Sequence, residues 1–142
     1  MKEPVLLYID GGARGNPGPA GFGVHAEDGD GEVVAELYGY LGRATNNVAE
    51  YAALLVALQW ARRSGLKAVR LFSDSQLLVR QMEGSYRVRN AGLQPLFRRG
   101  RGLAAVIPDL TIAHVGRDEN KQADALANRA MDEEDGNTPS PL

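Results

Sequence analysis

The chain has 142 residues, 44% of them hydrophobic and 24% charged, with a formal net charge of −2; this is the make-up of one folded domain and excludes wholesale disorder, collagen-like repeats and a coiled coil. It contains no cysteine, which excludes disulfide frameworks, zinc ribbons, iron–sulfur clusters and thiol nucleophiles and leaves carboxylates, two histidines and hydroxyls for chemistry. The charge is segregated. Residues 62–101 hold ten basic side chains (Arg62, Arg63, Lys67, Arg70, Arg80, Arg87, Arg89, Arg98, Arg99 and Arg101) against Asp74 and Glu83, which fits either a face turned to a polyanion or a solvated helical face.

In chain order, Val5 to Ile9 is a short apolar run that reads as a buried strand ending at Asp10. It is too short for a signal-peptide core or a membrane span, so the expected protein is cytoplasmic with no membrane association. Gly11 to Gly21 is glycine-rich but lacks the Gly-Lys-Ser/Thr ending of a phosphate-binding loop, and it reads as a turn. Gly21–Glu27 and Glu32–Leu41 are strand candidates around Asp28-Gly-Asp-Gly31, a hairpin signal. Thr45-Asn46-Asn47 supplies cap residues for a helix that ends near Ser64-Gly65. Between Ala49 and Ala61 only Glu50 and Gln59 are polar, so this helix is expected to be buried over most of its circumference, with Trp60 as core. His25, inside the hairpin, reads as structural.

Ala68–Asp74 reads as a fourth strand, Ser75–Met82 as a short helix, Leu93–Ala105 as a second, Leu110–Val115 as a fifth strand and Asn120–Asp132 as the last helix. A strand reached after a long helix is normally parallel to its neighbour, which gives an α/β fold with a mixed sheet and helices available for both faces. Residues 133–142 lack periodicity and are expected to be a disordered tail.

Four acids stand at element ends: Asp10 closes the first strand, Glu50 opens the first long helix, Asp74 closes the fourth strand and Asp124 lies on the last helix. Each alone has an ordinary explanation as a turn, cap or solvated residue. Together they differ, because adjacent parallel strands would bring Asp10 and Asp74 side by side at the carboxyl edge of the sheet, where open α/β sheets bind ligands. Clustered carboxylates raise one another's pKa unless a cation neutralises them, and hard oxygen donors favour magnesium or manganese.

Four blocks resemble type 1 ribonuclease H, in family order: Tyr8-Ile-Asp10 through Gly23; Thr45-Asn-Asn-Val-Ala-Glu50; Ser73-Asp74-Ser-Gln76; and His114 through Asn120 and Asp124 to Ala127. The resemblance spans Val5 to about Met131. It implies a five-stranded mixed sheet in the order 3-2-1-4-5, the first three strands antiparallel, forming a ribonuclease H catalytic domain over residues 1–132. It implies a metal-dependent endonuclease that cuts the RNA strand of RNA–DNA hybrids and leaves 3′-hydroxyl and 5′-phosphate ends. Asp10, Glu50, Asp74 and Asp124 would hold two magnesium ions about 4 Å apart, with manganese as a substitute, Asp10 bridging the pair.

By the same resemblance Asn16, Asn46, Asn47 and Gln76 fall where the family reads the minor groove and RNA 2′-hydroxyls. Thr45 matches a position that grips a DNA-strand phosphate, Gly12 and Arg14 lie in the loop that approaches the RNA, and His114 matches a flexible-loop histidine that assists proton transfer or product departure. The connection from Gln76 to His114 is too short for the basic protrusion of some members, which shifts hybrid affinity to Arg80, Tyr86, Arg87, Arg89 and Arg98 to Arg101. Position 117 is arginine where a second histidine is common. The expected partners are an RNA–DNA hybrid, with an RNA–RNA duplex as a second candidate substrate, and the expected state is a monomer. Two competing readings are a DNA-processing nuclease of the same broad fold, disfavoured by the asparagine-rich motifs, and a hybrid-binding module without catalysis, disfavoured by the four acids.

Overall fold

Val5, Leu7 and Ile9 are fully buried while Leu6 and Tyr8 between them are half-buried, the period of two that makes this run strand β1 (Val5–Ala13). The computed structural model describes residues 1–142. β1 pairs antiparallel with β2 (Gly18–Glu27), and β2 with β3 (Val33–Ala44). The β2–β3 turn is held by Asp28, whose Oδ1 accepts from the Asp30 and Glu32 amides. Helix α1 (Asn46–Arg63) follows; the Thr45 hydroxyl accepts from the Val48 amide at 3.2 Å to cap it, and Gly65, at φ +69°, turns the chain out.

β4 (Ala68–Ser73) lies parallel to β1, and after α2 (Gln76–Glu83) and α3 (Gln94–Ala105), β5 (Asp109–His114) lies parallel to β4. The sheet order is β3-β2-β1-β4-β5, as the resemblance implies. A 3-10 turn at Arg117–Glu119 leads into α4 (Lys121–Glu133). α1 covers one face of the sheet with α3 against it, and α4 covers the β1–β3 part of the other face. The core forms around α1, where Leu54, Leu55, Val56 and Leu58 meet Leu7, Ile9, Phe22 and Leu71, with Trp60 half-buried at its margin. No helix is long and apolar enough to cross a membrane.

Two expectations need correction. The glycine-rich stretch 11–21 is mostly strand: Gly11–Ala13 pair with Ala20–Phe22, and Gly18–Ala20 pair with Gly42–Ala44, leaving only residues 14–17 as the turn. Glycine is needed there for close approach, since a Cβ on Gly11 would run into the Ala49 and Glu50 backbone. The segment 133–142 is not a free tail. Past the end of α4, Asn137 settles on the outer edge of β3, where its side-chain oxygen accepts from the Tyr38 amide at 2.9 Å, its Nδ2 donates to the Glu36 carbonyl at 2.8 Å and its own amide donates to the Tyr38 carbonyl at 3.0 Å. Arg99 then holds the Pro141 carbonyl at 2.7 Å. An edge strand presents unpaired backbone groups, and Asn137 satisfies those of Tyr38 and the carbonyl of Glu36.

Candidate metal centre

The end of β1 carries Asp10 into the sheet's carboxyl edge, and the parallel register sets Ile9 beside Ser73, so Asp74 emerges next to it. Gly11 lets the first turn of α1 lie against β1, which delivers Glu50. Carboxylate oxygens of Asp10, Glu50 and Asp74 lie within 4.8 Å of one another. Asp124 comes from the opposite face. Gly23 permits this, because a Cβ there would lie 2.5 Å from the Ala123 carbonyl and hold α4 off β2. Asn120, fully buried at the start of α4, donates from Nδ2 to the Ile9 carbonyl at 2.8 Å and ties the helix to the strand that bears Asp10.

All four acids line one cleft of about 580 Å³. Burial first, then the charge of Asp74 and the hydrogen bond and charge of Asp124, push the Asp10 carboxyl up to about 8, against a weaker pull from the Gly11 amide, which donates to Asp10 Oδ1 at 3.0 Å. Burial and the charges of Asp10 and Asp74 push Glu50 well above the usual carboxylate range, opposed by the Gly11 amide and by Arg117. The Glu50 Oε2 atom is buried without a hydrogen-bond partner. Repelling, desolvated carboxylates with an orphaned oxygen are a donor set completed by a hard divalent cation.

Around this centre the expected substrate residues divide. Asn16 and Asn46 are placed together: the Asn16 side-chain oxygen accepts from the Asn46 amide at 3.0 Å, and the Asn46 side-chain oxygen accepts from the Ala13 amide at 2.8 Å. Both carbonyl oxygens are engaged, leaving the Nδ2 groups for a ligand. Gly12 and Asn46 line the cleft and Asn47 is exposed in the first turn of α1. Arg14 also lines the cleft, held by Asp132 at 2.6 Å and Asn128 at 3.4 Å. His114 is the last residue of β5, not part of a loop, and opens with Gln76 and Tyr86 onto a neighbouring cavity outside the carboxylate cleft.

The basic residues of segment 62–101 differ in their partners. Arg70 bonds Asp109, Arg101 donates to the Met82 carbonyl and Arg99 to Pro141, whereas Arg87 and Arg89 are exposed on the connection after α2. The sequence reading did not place Ser75, Arg117, Asn128 or Met131 in the cleft, yet all four line it. For Asn128 a signal was present, since it stands one helical turn after Asp124 on α4.

A profile of the reverse transcriptase-like family matches residues 8–130. The chain is 45% identical to ribonuclease HI of Halobacterium salinarum over 91% of its own length, spanning 65% of that protein. It is 39% identical to ribonuclease H of Halorhodospira halophila, over 94% of this chain and 96% of that one. The crystal structure of RNase H1 from Halobacterium salinarum superposes with a TM-score of 0.88 over 91% of this chain and 98% of that one. LC11-RNase H1 in complex with an RNA/DNA hybrid, 41% identical, superposes with a TM-score of 0.86 over 92% and 98% of the two chains.

Proposed function

The chain belongs to the type 1 ribonuclease H family, and from that premise we propose that it is a metal-dependent endoribonuclease that hydrolyses the RNA strand of RNA–DNA hybrids. The observation that carries this reading is the group of Asp10, Glu50 and Asp74 within 4.8 Å, joined in one cleft by Asp124. Asp10, Glu50, Asp74 and Asp124 would hold a pair of magnesium or manganese ions, which would supply activation of the attacking water and neutralisation of the departing oxygen, and cleavage would then leave 3′-hydroxyl and 5′-phosphate ends. The carboxylates themselves orient what binds there, because Asp10 and Glu50 are fixed by strand and helix backbone and not by mobile loops.

Arg117, on the rim of the cleft, offsets the negative charge and offers donors to a phosphate oxygen. Asn16 and Asn46, with only their Nδ2 hydrogens uncommitted, donate to minor-groove acceptors and 2′-hydroxyls, the features that separate RNA from DNA. Thr45 keeps its hydroxyl proton for a phosphate while its oxygen caps α1. His114 stands beside the cleft, where its imidazole exchanges a proton with the product oxygen as the strand leaves.

The test is magnesium-dependent digestion of end-labelled RNA–DNA, RNA–RNA and DNA–DNA duplexes of one sequence. Internal cuts in the RNA of the hybrid, with 5′-phosphate ends, are expected. Cuts confined to DNA would replace this reading with the DNA-processing alternative, and cuts in RNA–RNA would widen the substrate range.

A further inference from the structure

The sheet has two edges, and the chain covers only one of them. Asn137 settles on the outer edge of β3, whereas β5 ends the sheet on the other side with no strand beyond it. Asp109 donates its amide to the Lys67 carbonyl and Val115 donates to the Ser73 carbonyl. The odd-numbered residues of β5 therefore face β4, and the even-numbered ones, Leu110, Ile112 and His114, aim their amides and carbonyls outward. The side chains of Leu110 and Ile112 also wall a mostly apolar cavity of about 350 Å³, together with Met82, Ala104, Ile107 and Pro108.

Edge strands are ordinarily blunted by a lysine, a proline, a bulge or a cover. β5 has none of these. Asp109–His114 contains no lysine or proline, and its register with β4 runs without a shift. Its one permanent charge, on Asp109, is neutralised by Arg70 at 3.1 Å. Backbone groups able to bind another strand and a pocket able to take that strand's side chains thus coincide at Leu110 and Ile112.

We propose that the β5 edge is a docking site for a second copy of this chain, joined antiparallel about a two-fold axis at Ile112, in place of the monomer expected from sequence. The strand suits itself as a partner. With Ile112 opposite Ile112 of the second copy, Leu110 falls opposite His114, and every outward amide and carbonyl meets a complementary group. Residues opposite one another share a face, so the two Ile112 side chains lie together at the rim of the cavities, and on the exposed face Thr111 lies opposite Ala113. The charges agree with this occupant. No two like charges meet across the seam, and a net charge of −2 on each copy leaves little long-range repulsion to overcome.

The experiment is sedimentation equilibrium of the intact chain from about 1 μM to about 1 mM, with amide hydrogen exchange read at both ends of that range. A strand pair is a small interface, so the mass is expected to climb from 15.3 kDa towards twice that value only in the upper part of the range. Exchange at Leu110, Ile112 and His114 is expected to slow as it climbs. Thr111 and Ala113 are exposed, so substituting them leaves the core and the β4 ladder intact. Thr111→Lys combined with Ala113→Lys sets like charges opposite each other across the seam and is expected to weaken association about tenfold. Thr111→Lys combined with Ala113→Glu sets opposite charges at the same places and is expected to associate at least as well as the wild type. A mass of 15.3 kDa throughout would overturn the proposal and leave the edge to solvent or to a strand of another protein. A dimer with unchanged exchange at the three amides, or a double-lysine variant that associates as the wild type does, would overturn it equally.

Discussion

At the scale of single residues, the chemistry is concentrated in a carboxyl group held where its charge is unfavourable. Asp10 is raised from 3.8 to about 8 by burial and by its acidic neighbours. Between those values the folded protein keeps a proton that the unfolded chain has released, so stability of the metal-free protein falls as pH rises through this window and the full loss is reached above about pH 8. Asp10→Asn removes that penalty. In chelator, its thermal midpoint is expected to exceed that of the wild type at pH 8, by the equivalent of on the order of a few kcal/mol, with the gap closing towards pH 4. Parallel melting profiles for the two proteins across this range would contradict the electrostatic account. For His114, which lies outside the carboxylate cleft, His114→Ala is expected to slow turnover by roughly 10²-fold with magnesium dependence retained. A rightward shift of the magnesium curve in that variant would instead make His114 part of the metal site. All four acids were legible from their positions at element ends. The capture of Arg14 by Asp132 was not, because the partners are 118 positions apart and only the packing of α4 on β2 brings them together.

At the scale of elements, the site depends on how closely two helices approach the sheet. α1 is admitted by Gly11 and α4 by Gly23, and Asn120 fastens α4 to β1 through the Ile9 carbonyl. Asn120→Ala leaves that buried carbonyl without its partner, which should cost about 1–3 kcal/mol of stability. It should also weaken magnesium binding, because Asp124 sits in the first turn of the loosened helix. Chemical denaturation and calorimetric magnesium titration of the variant measure both effects. A stability loss with unaltered magnesium affinity would show that Asn120 does not position Asp124. The hydrophobic periods and cap residues made β1, the β2–β3 hairpin and α1 readable from sequence, to within a few residues at their ends. The extension of β1 through Gly11–Ala13 was hidden, since glycine-rich runs have turn chemistry and only cross-strand pairing with Ala20–Phe22 makes them strand. For the basic segment the sequence left a polyanion-facing side and a solvated face both open; the fold adds internal partners for Arg70, Arg99 and Arg101, which pairing at sequence separations of 19 to 42 residues kept out of sight.

At the scale of the whole molecule, the mixed sheet gathers residues from both ends of the chain into one cleft, and the last residues close its far edge. Composition suggested that residues 133–142 would be free; the backbone groups of Tyr38 and Glu36 on the edge of β3 supply the partners that composition could not reveal. Asn137→Ala is expected to lower stability by about 1–2 kcal/mol and to speed hydrogen exchange along the outer edge of β3, with cleavage unaffected, because that edge lies across the sheet from the β1–β4 junction. Exchange at β3 equal to the wild type would show that the edge is protected without the tail.

The central claim is that the four carboxylates form the centre of a cation-dependent nuclease acting on the RNA of a hybrid. Its most direct test is the initial rate of RNA-strand cleavage against magnesium concentration for the wild type, Asp10→Asn and Asp74→Asn, each shown to be folded. The wild-type rate is expected to rise from nothing in chelator to saturation, while both variants stay at background throughout. A folded Asp10→Asn or Asp74→Asn protein that follows the wild-type magnesium curve would contradict the account.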